Sequence, residues 1–252
     1  MISKLWSSLL LAAASLAVVD AGRQAPHIPA PALSHHWPKE PYHPRPPYSN
    51  GHSKTCTLKP KGAGKDDAPS LLAAAHKCNN GGKVVLPAGS NFTFGSPLDL
   101  TFLKNVDLEI AGRITFTNDT NYWQNNSFYM TYQNASTFWL IGGENINVYG
   151  GGTVDGNGQA WYDLYAQNPL ILRPILFVIY GARGGSVKNL NLVNSPQWFN
   201  FIANSSDFIY DGIHIAGKSV SKNVAKNTDG WDVYRSDSIT ITNSIVYNGD
   251  DW

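Results

Sequence analysis

The stretch Asn227-Thr228-Asp229-Gly230-Trp231-Asp232, followed by Ser238-Ile239-Thr240-Ile241-Thr242-Asn243 and then by Gly249-Asp250-Asp251-Trp252, decides how the rest of the chain is read. Two acidic turns flank a run that alternates apolar and polar residues, as a strand does. Asp250 lies 21 positions after Asp229, and Asp251 lies 22 after it. Solenoids built of parallel strands repeat at about this length, and neighbouring strands sit roughly 4.8 Å apart. With 21 to 22 residues to a coil, the second acidic turn falls directly on the first. Asp229, Asp250 and Asp251 then collect on one patch. Crowded carboxylates drive each other's pKa values apart, so that one holds a proton while another is ionised. Acid/base hydrolysis of a glycosidic bond requires that division of labour.

Upstream, Val187-Lys188-Asn189, Ile209-Tyr210-Asp211 and Ile241-Thr242-Asn243 each place an apolar residue two before Asn or Asp. Further apolar positions follow at Leu190 and Leu192, at Ile213 and Ile215, and at Ile245. The copies are 22 and then 32 positions apart with a one-residue slip of register, which predicts an extra loop over Lys218 to Lys226. Repeats of this kind cannot bury their own apolar face and must stack. The asparagines at matching turns read either as hydrogen-bonded ladders or as ordinary turn residues. Lys83 to Gly89, Val106 to Phe116 and Ile146 to Tyr149 read as earlier strands. One helix is convincing. Asp67 is placed to cap it, Pro69 is tolerated in its first turn, Ser70 to Lys77 continue it, and Asn79-Asn80-Gly81-Gly82 stop it. A short helix with apolar residues to cover is expected to cap the N-terminal end of the stack.

Composition agrees with an all-β, turn-rich extracellular chain. Of 252 residues, 42% are apolar and only 15% charged, with 23 glycines. A formal charge of +1 gives no case for nucleic acid or an anionic membrane. Residues 1–21 read as a secretory signal peptide, with Lys4, an apolar run from Leu9 to Val19 and small residues at Val19-Asp20-Ala21. The alternative, a membrane anchor, asks for about 20 apolar residues. In the oxidising compartment that secretion implies, Cys56 and Cys78 are the one available pair and are expected to bridge. Sequons at Asn91, Asn118, Asn125, Asn134 and Asn204 fit the same compartment. Residues 22–52 are rich in Pro, His and Tyr and read as an extended arm. Five of the seven histidines (His27, His35, His36, His43 and His52) fall in or next to it, at spacings that match no metal-ligand pattern. No metal and no cofactor are expected.

From Cys56 to Asp251 the motifs resemble those of glycoside hydrolase family 28, the polygalacturonases. They are Asp66-Asp67-Ala68-Pro69 through Cys78-Asn-Asn-Gly-Gly, Gly150 to Trp161 with Asp155, Gly156 and Gly158, Arg173-Pro174, Asn194-Ser195-Pro196-Gln-Trp198, Asn227-Thr228-Asp229 and Gly249-Asp250-Asp251, in family order. The wording Asn-Thr-Asp-Gly-Trp-Asp followed by Tyr234-Arg235-Ser236-Asp237 is most similar to the secreted fungal exopolygalacturonases. The resemblance implies a right-handed parallel β-helix over residues 53–252. It also implies a secreted, monomeric, inverting hydrolase that frees galacturonic acid from the non-reducing end of pectin's homogalacturonan. Asp250 matches the general acid, and Asp229 and Asp251 match the carboxylates that activate water. Inversion leaves the carboxyls typically about 6.5–9.5 Å apart. Asn227 and Asp232 share the turn and are expected to shape it and to meet the substrate.

Two departures qualify that reading. The sequence stops at Trp252, whereas the family continues with a Gly-His-Gly turn and an Arg-x-Lys motif, and Trp252 stands where the family usually has Cys. The expectation is therefore a C-terminally truncated chain, weak or inactive alone, whose aspartates lack the cations that hold an anionic sugar. The competing readings are an inactive pectin-binding module, an endo-acting enzyme, one acting on rhamnogalacturonan or xylogalacturonan, and a calcium-dependent pectate lyase. The loops Asn118 to Gln133 and Lys218 to Lys226 carry part of what decides among the hydrolase substrates.

Overall fold

The computed structural model describes residues 53–251. The signal-peptide and Pro/His-rich-arm readings, and Trp252, lie outside the described residues. Within them the chain winds as a right-handed parallel β-helix. Its ten-stranded sheet is paired in parallel throughout, and a six-stranded parallel sheet forms a second wall.

Register follows from which side chains can turn inward. Leu100, Ile141 and Ile179 stack in one column, continued by Ile202 and Val233. On the second wall Ile114, Val154, Leu192, Ile215 and Val246 stack likewise. All but the last member of each column are buried. Val233 is 47% and Ile241 41% exposed because no further strand covers them among the described residues.

The predicted register slip is corrected here. Tyr210, not Ile209, aligns with Val187 and Ile241, and Tyr210 is fully buried. An inward aromatic with a hydroxyl does not score as apolar in an alternation count, which shifts the apparent core position to its outward neighbour Ile209. The aligned copies are 23 and 31 positions apart, with no slip. The extra loop, Lys218 to Lys226, carries no helix or strand. It is held by Ser221 Oγ and Asn223 Nδ2 donating to Asp163 Oδ1 at 2.6 and 2.8 Å, and by Val220 N–H donating to Gln159 Oε1 at 2.8 Å. Val106 to Phe116 is likewise two strands, Leu98–Ile110 and Arg113–Phe116, in different sheets.

Both readings of the asparagines hold. Asn105, Asn145, Gly184, Asp207 and Ser238 occupy one position on successive coils, each with φ between 50° and 70°. Left-handed backbone is what lets a strand bend sharply, and Gly, Asn and Asp tolerate it best. Asn145 Nδ2 also donates to Asn105 Oδ1 at 2.9 Å, and Asn243 Nδ2 to Asp211 Oδ1 at 2.8 Å, so the bends are stitched coil to coil.

The helix Ala68–Cys78 buries Ala68, Leu71, Ala75 and Cys78 at the N-terminal end of the stack. Asp67 does not cap it. Its buried carboxylate accepts from Lys61 N–H at 2.8 Å and Thr93 N–H at 3.0 Å, tying the helix to the first coil. Asp66 takes the capping contact instead, accepting from Ala68 N–H at 3.0 Å. Cys56 and Cys78 are bonded across a separation of 22 residues. By the chain-entropy estimate Cys78→Ser will lower the unfolding free energy by about 3 kcal/mol. Chemical denaturation would read this as an earlier midpoint.

Two short helices, Thr120–Asn126 and Gln159–Tyr165, were not visible in the sequence pattern. The first opens an excursion that continues as Phe128–Met130 paired antiparallel with Ala135–Thr137, which in turn pairs with Pro174–Ile175. This three-stranded sheet lies outside the coil core and brings Tyr132 against the outer face of the main sheet, on Phe201.

Candidate active site

The acidic turn is built from its backbone outward. Asn227 has φ 53°, and Thr228 is fully buried with its Oγ1 accepting from Gly249 N–H at 2.8 Å. Gly230 N–H donates to the Asp251 carbonyl at 2.8 Å, which sets the second acidic turn on the rung after the first. Phe199 N–H donates to the Asp229 carbonyl at 2.8 Å, so the first turn is fixed to the rung before it. Asn227 donates from both its backbone N–H and its Nδ2 to Asp250 Oδ2, at 3.2 and 3.3 Å. Asp229, Asp250 and Asp251 therefore come from two adjacent coils, as the spacing predicts. Asp250 and Asp251 are exposed and Asp229 is half-buried.

Arg173 is the site residue to which the sequence reading assigned no role. It is buried, with Nη1 donating to the carbonyls of Pro196 and Lys226 at 2.8 and 2.7 Å. Its Nη2 donates to Asn227 Oδ1 at 3.0 Å, and Tyr165 Oη donates to the same oxygen at 3.3 Å. These donors fix the Asn227 amide with its NH₂ toward Asp250. The guanidinium lies over the Tyr165 ring at 3.7 Å, a cation–π contact that helps to keep it charged while buried. Burial pulls its pKa down to about 10, which leaves it a cation at any pH the site would work at. An Arg-Pro pair after an apolar run carries no periodic signal, and its partner lies 54 positions away.

The carboxylates perturb one another. Burial raises the Asp229 pKa, and the charges of Asp250 and Asp251 raise it further, against a backbone hydrogen bond and Arg173, which lower it. Asp232 is pushed up to about 7, first by burial and then by the charges of Asp229, Asp251 and Asp250. Asp229 Oδ1 and Asp232 Oδ2 are buried with no hydrogen-bond partner among the described residues. Four acidic groups thus share one patch, and at least one is held protonated in mild acid.

This has a stability consequence with a definite sign. Below pH 3.8 Asp232 is protonated in both the folded and the unfolded chain. Between 3.8 and about 7 the unfolded chain has released the proton and the folded one keeps it. The folded state then binds more protons, so stability falls as pH rises through this window. Asp232→Asn will flatten that slope and raise the melting temperature near pH 7 relative to the parent. Thermal unfolding from pH 4 to 8 measures it, and parallel curves for the two proteins would refute it.

Other predicted positions divide clearly. Asp155 accepts from Arg113 Nη2, from Asn157 N–H at 2.9 Å and from Asn194 Nδ2 at 3.2 Å, which makes it a brace between coils. Ser195 and Pro196 form a pedestal, their carbonyls accepting from Tyr162 Oη at 2.9 Å and from Arg173. Of the sequon asparagines, Asn91, Asn118, Asn125 and Asn134 are exposed, and Asn204 is half-buried. No group of three or more His, Cys, Asp or Glu among the described residues is arranged to hold a metal ion.

Fold and site together define a class: a parallel β-helix carrying clustered carboxylates of the kind glycosidases use. Comparison with known proteins narrows this. Residues 78–252 match the model of glycosyl hydrolases family 28, and the chain belongs to that family. It is 60% identical over 214 residues to a probable exopolygalacturonase X of Aspergillus fumigatus and to exopolygalacturonase X-1 of Emericella nidulans. Each alignment covers 85% of this chain and 49% of the relative, so the chain spans about half the length of the curated relatives it matches. Among solved structures, endo-xylogalacturonan hydrolase from Aspergillus tubingensis is 31% identical with a TM-score of 0.70, over 78% of this chain and 52% of that one. A polygalacturonase from Erwinia carotovora ssp. carotovora shares the fold at 24% identity and a TM-score of 0.63, over 86% of this chain and 59% of that one.

Proposed function

We propose that this chain supplies the carboxylate machinery of a secreted, monomeric exopolygalacturonase that releases galacturonic acid from the non-reducing end of homogalacturonan with inversion. Asp250 donates its proton to the glycosidic oxygen as the bond from that oxygen to the anomeric carbon breaks. Asp229 and Asp251 take a proton from the water whose oxygen attacks that carbon from the opposite face. Asn227 and Asp232 line the substrate side of the turn. The carrying observation is the coupling of the two acidic turns, through Asn227 to Asp250 and through Gly230 to Asp251, which brings the carboxylates of adjacent coils onto one patch. The raised Asp229 pKa fits a base working in mild acid, since general bases are most effective near their operating pH.

The test is product analysis. The purified chain, and a version extended to the relatives' length, are incubated with a defined oligogalacturonide. Saturated monomeric galacturonic acid from either supports the reading. Dimers and longer fragments would point to endo cutting, an ultraviolet-absorbing unsaturated product to a lyase, and no product from either version would end the proposal.

A further inference from the structure

The end of the solenoid farthest from the acidic turns carries a charge pattern that hydrolysis does not use. Between Ser53 and Leu98 the sequence has six lysines and two carboxylates, whereas from Asp99 onward it has nine lysines and arginines against fourteen aspartates and glutamates. The two carboxylates of the first segment are turned inward. Asp67 is buried and accepts from the N–H groups of Lys61 and Thr93. Asp66 accepts from the N–H groups of Ala68 and Gly95 and from Ser96 Oγ. The lysines face solvent. Lys54, Lys59, Lys61, Lys65 and Lys77 are all exposed, and among the described residues none of the five is in an ion pair. Lys61 Nζ donates to the Asp66 carbonyl at 2.8 Å, a contact that leaves its charge unpaired. Lys83 and Lys104 are instead matched by glutamates of the next coil, Glu109 and Glu144.

The fold gathers these cations on one end. The bond between Cys56 and Cys78 brings the segment of Lys54 to the last turn of the helix Ala68–Cys78, which bears Lys77. The loop from Lys59 to Lys65 is pinned at the start of the same helix by the bond from Lys61 N–H to Asp67. That helix has 11 residues, about 16 Å at 1.5 Å per residue, so the five ammonium groups share one face of the stack end. The main sheet takes six steps from Thr55–Thr57 to Trp231–Tyr234, which puts this end about 29 Å from the acidic turns at roughly 4.8 Å per step. We propose that this basic end is a second, non-catalytic surface that docks de-esterified pectin, a polyuronate, remote from the cleft. A single exposed lysine is a solvated group. Five unpaired ones on one end of a chain whose remainder is acidic give the molecule a positive pole, which attracts a polyanion. The aspartates at the far end repel the same polymer, so capture falls to the basic end. Holding a long chain there raises its effective concentration at the acidic turns. An oligomer too short to span about 29 Å gains nothing from it.

The inference takes its ligand class from the hydrolase reading and is tested apart from it. Electrophoresis of the full chain through gels containing polygalacturonate should retard it relative to gels without polymer, and less so as salt rises. Fully methyl-esterified polymer, which is neutral, should not retard it. Lys54→Gln, Lys59→Gln, Lys65→Gln and Lys77→Gln combined should weaken polymer binding about tenfold, since each exposed ion pair contributes a few-fold at most. The melting temperature of that variant should stay at the parent value. Asp250→Asn should be retarded like the parent, which separates this surface from the acid. In the version extended to the relatives' length, the four substitutions should raise KM for the polymer and leave cleavage of trigalacturonide unchanged. Equal retardation of variant and parent overturns the proposal. So does retardation by the esterified polymer as strong as by polygalacturonate, or a parent that polygalacturonate does not retard. If trigalacturonide is cleaved while polymer binding ignores the lysines, the docking surface falls and the hydrolase reading stands. If lysine-dependent binding occurs and neither version cleaves polymer or trigalacturonide, the reverse holds.

Discussion

Asp250→Asn will lower the rate of galacturonic acid release by about 10²–10⁴-fold, the range that a positioned general acid contributes. The substitution keeps the side chain's shape and its acceptor oxygen, so the hydrogen bond from Asn227 N–H survives. What is lost is the transferable proton. The leaving oxygen must then depart as an alkoxide, and the fall should appear in kcat with KM nearly unchanged. Asp250 is exposed, so folding stability should move by no more than about 0.5 kcal/mol. The measurement is initial rate against oligogalacturonide concentration, made in the extended version should the chain alone release nothing. A variant within tenfold of the parent would place the acid elsewhere, and Asp232, held protonated up to about pH 7, would be the first residue to examine.

The legible parts of this molecule are the ones that repeat. A coil must return to its own column, so the spacing between Asp229 and the Asp250-Asp251 pair could be read as geometry before any contact was known. The turns at Asn189 and Asn243, both with φ 50°, were readable for the same reason, because left-handed backbone restricts the residue type wherever it recurs. Non-repeating features escaped. Arg173 acts through Asn227 from 54 positions away. The cap expected at Asp67 falls to Asp66 because which of two adjacent carboxylates caps a helix depends on where the first coil passes, at Thr93. Tyr132 reaches Tyr234 only through an excursion whose two helical turns of Thr, Asn, Tyr and Trp lack an amphipathic pattern. Such insertions are paid for by tertiary contacts, and single-sequence periodicity is blind to those.

Gly249→Ala will cut activity by about 10²-fold although it removes no carboxylate, since misplacing reacting groups by about 1 Å costs that much. Gly249 does not have the left-handed backbone that favours glycine elsewhere, so its constraint is space. A Cβ there would sit 2.1 Å from the Ala225 carbonyl oxygen and 3.1 Å from Thr228 Oγ1. Neither neighbour can yield cheaply. Thr228 is fully buried and accepts the Gly249 N–H, which is the bond that seats one acidic turn on the other. Ala225 lies in the loop anchored to Asp163 and Gln159, and the next residue's carbonyl is bonded to Arg173. The strain must then be relieved by moving Gly249-Asp250-Asp251 away from Asn227. That breaks the bonds from Asn227 to Asp250 and widens the separation between acid and base. Overpacking of this size also costs roughly 1–3 kcal/mol of stability, visible as a lower melting temperature. The two readouts must fall together. Full stability with lost activity, or the converse, would show that the turn does not couple the coils in the way these contacts require.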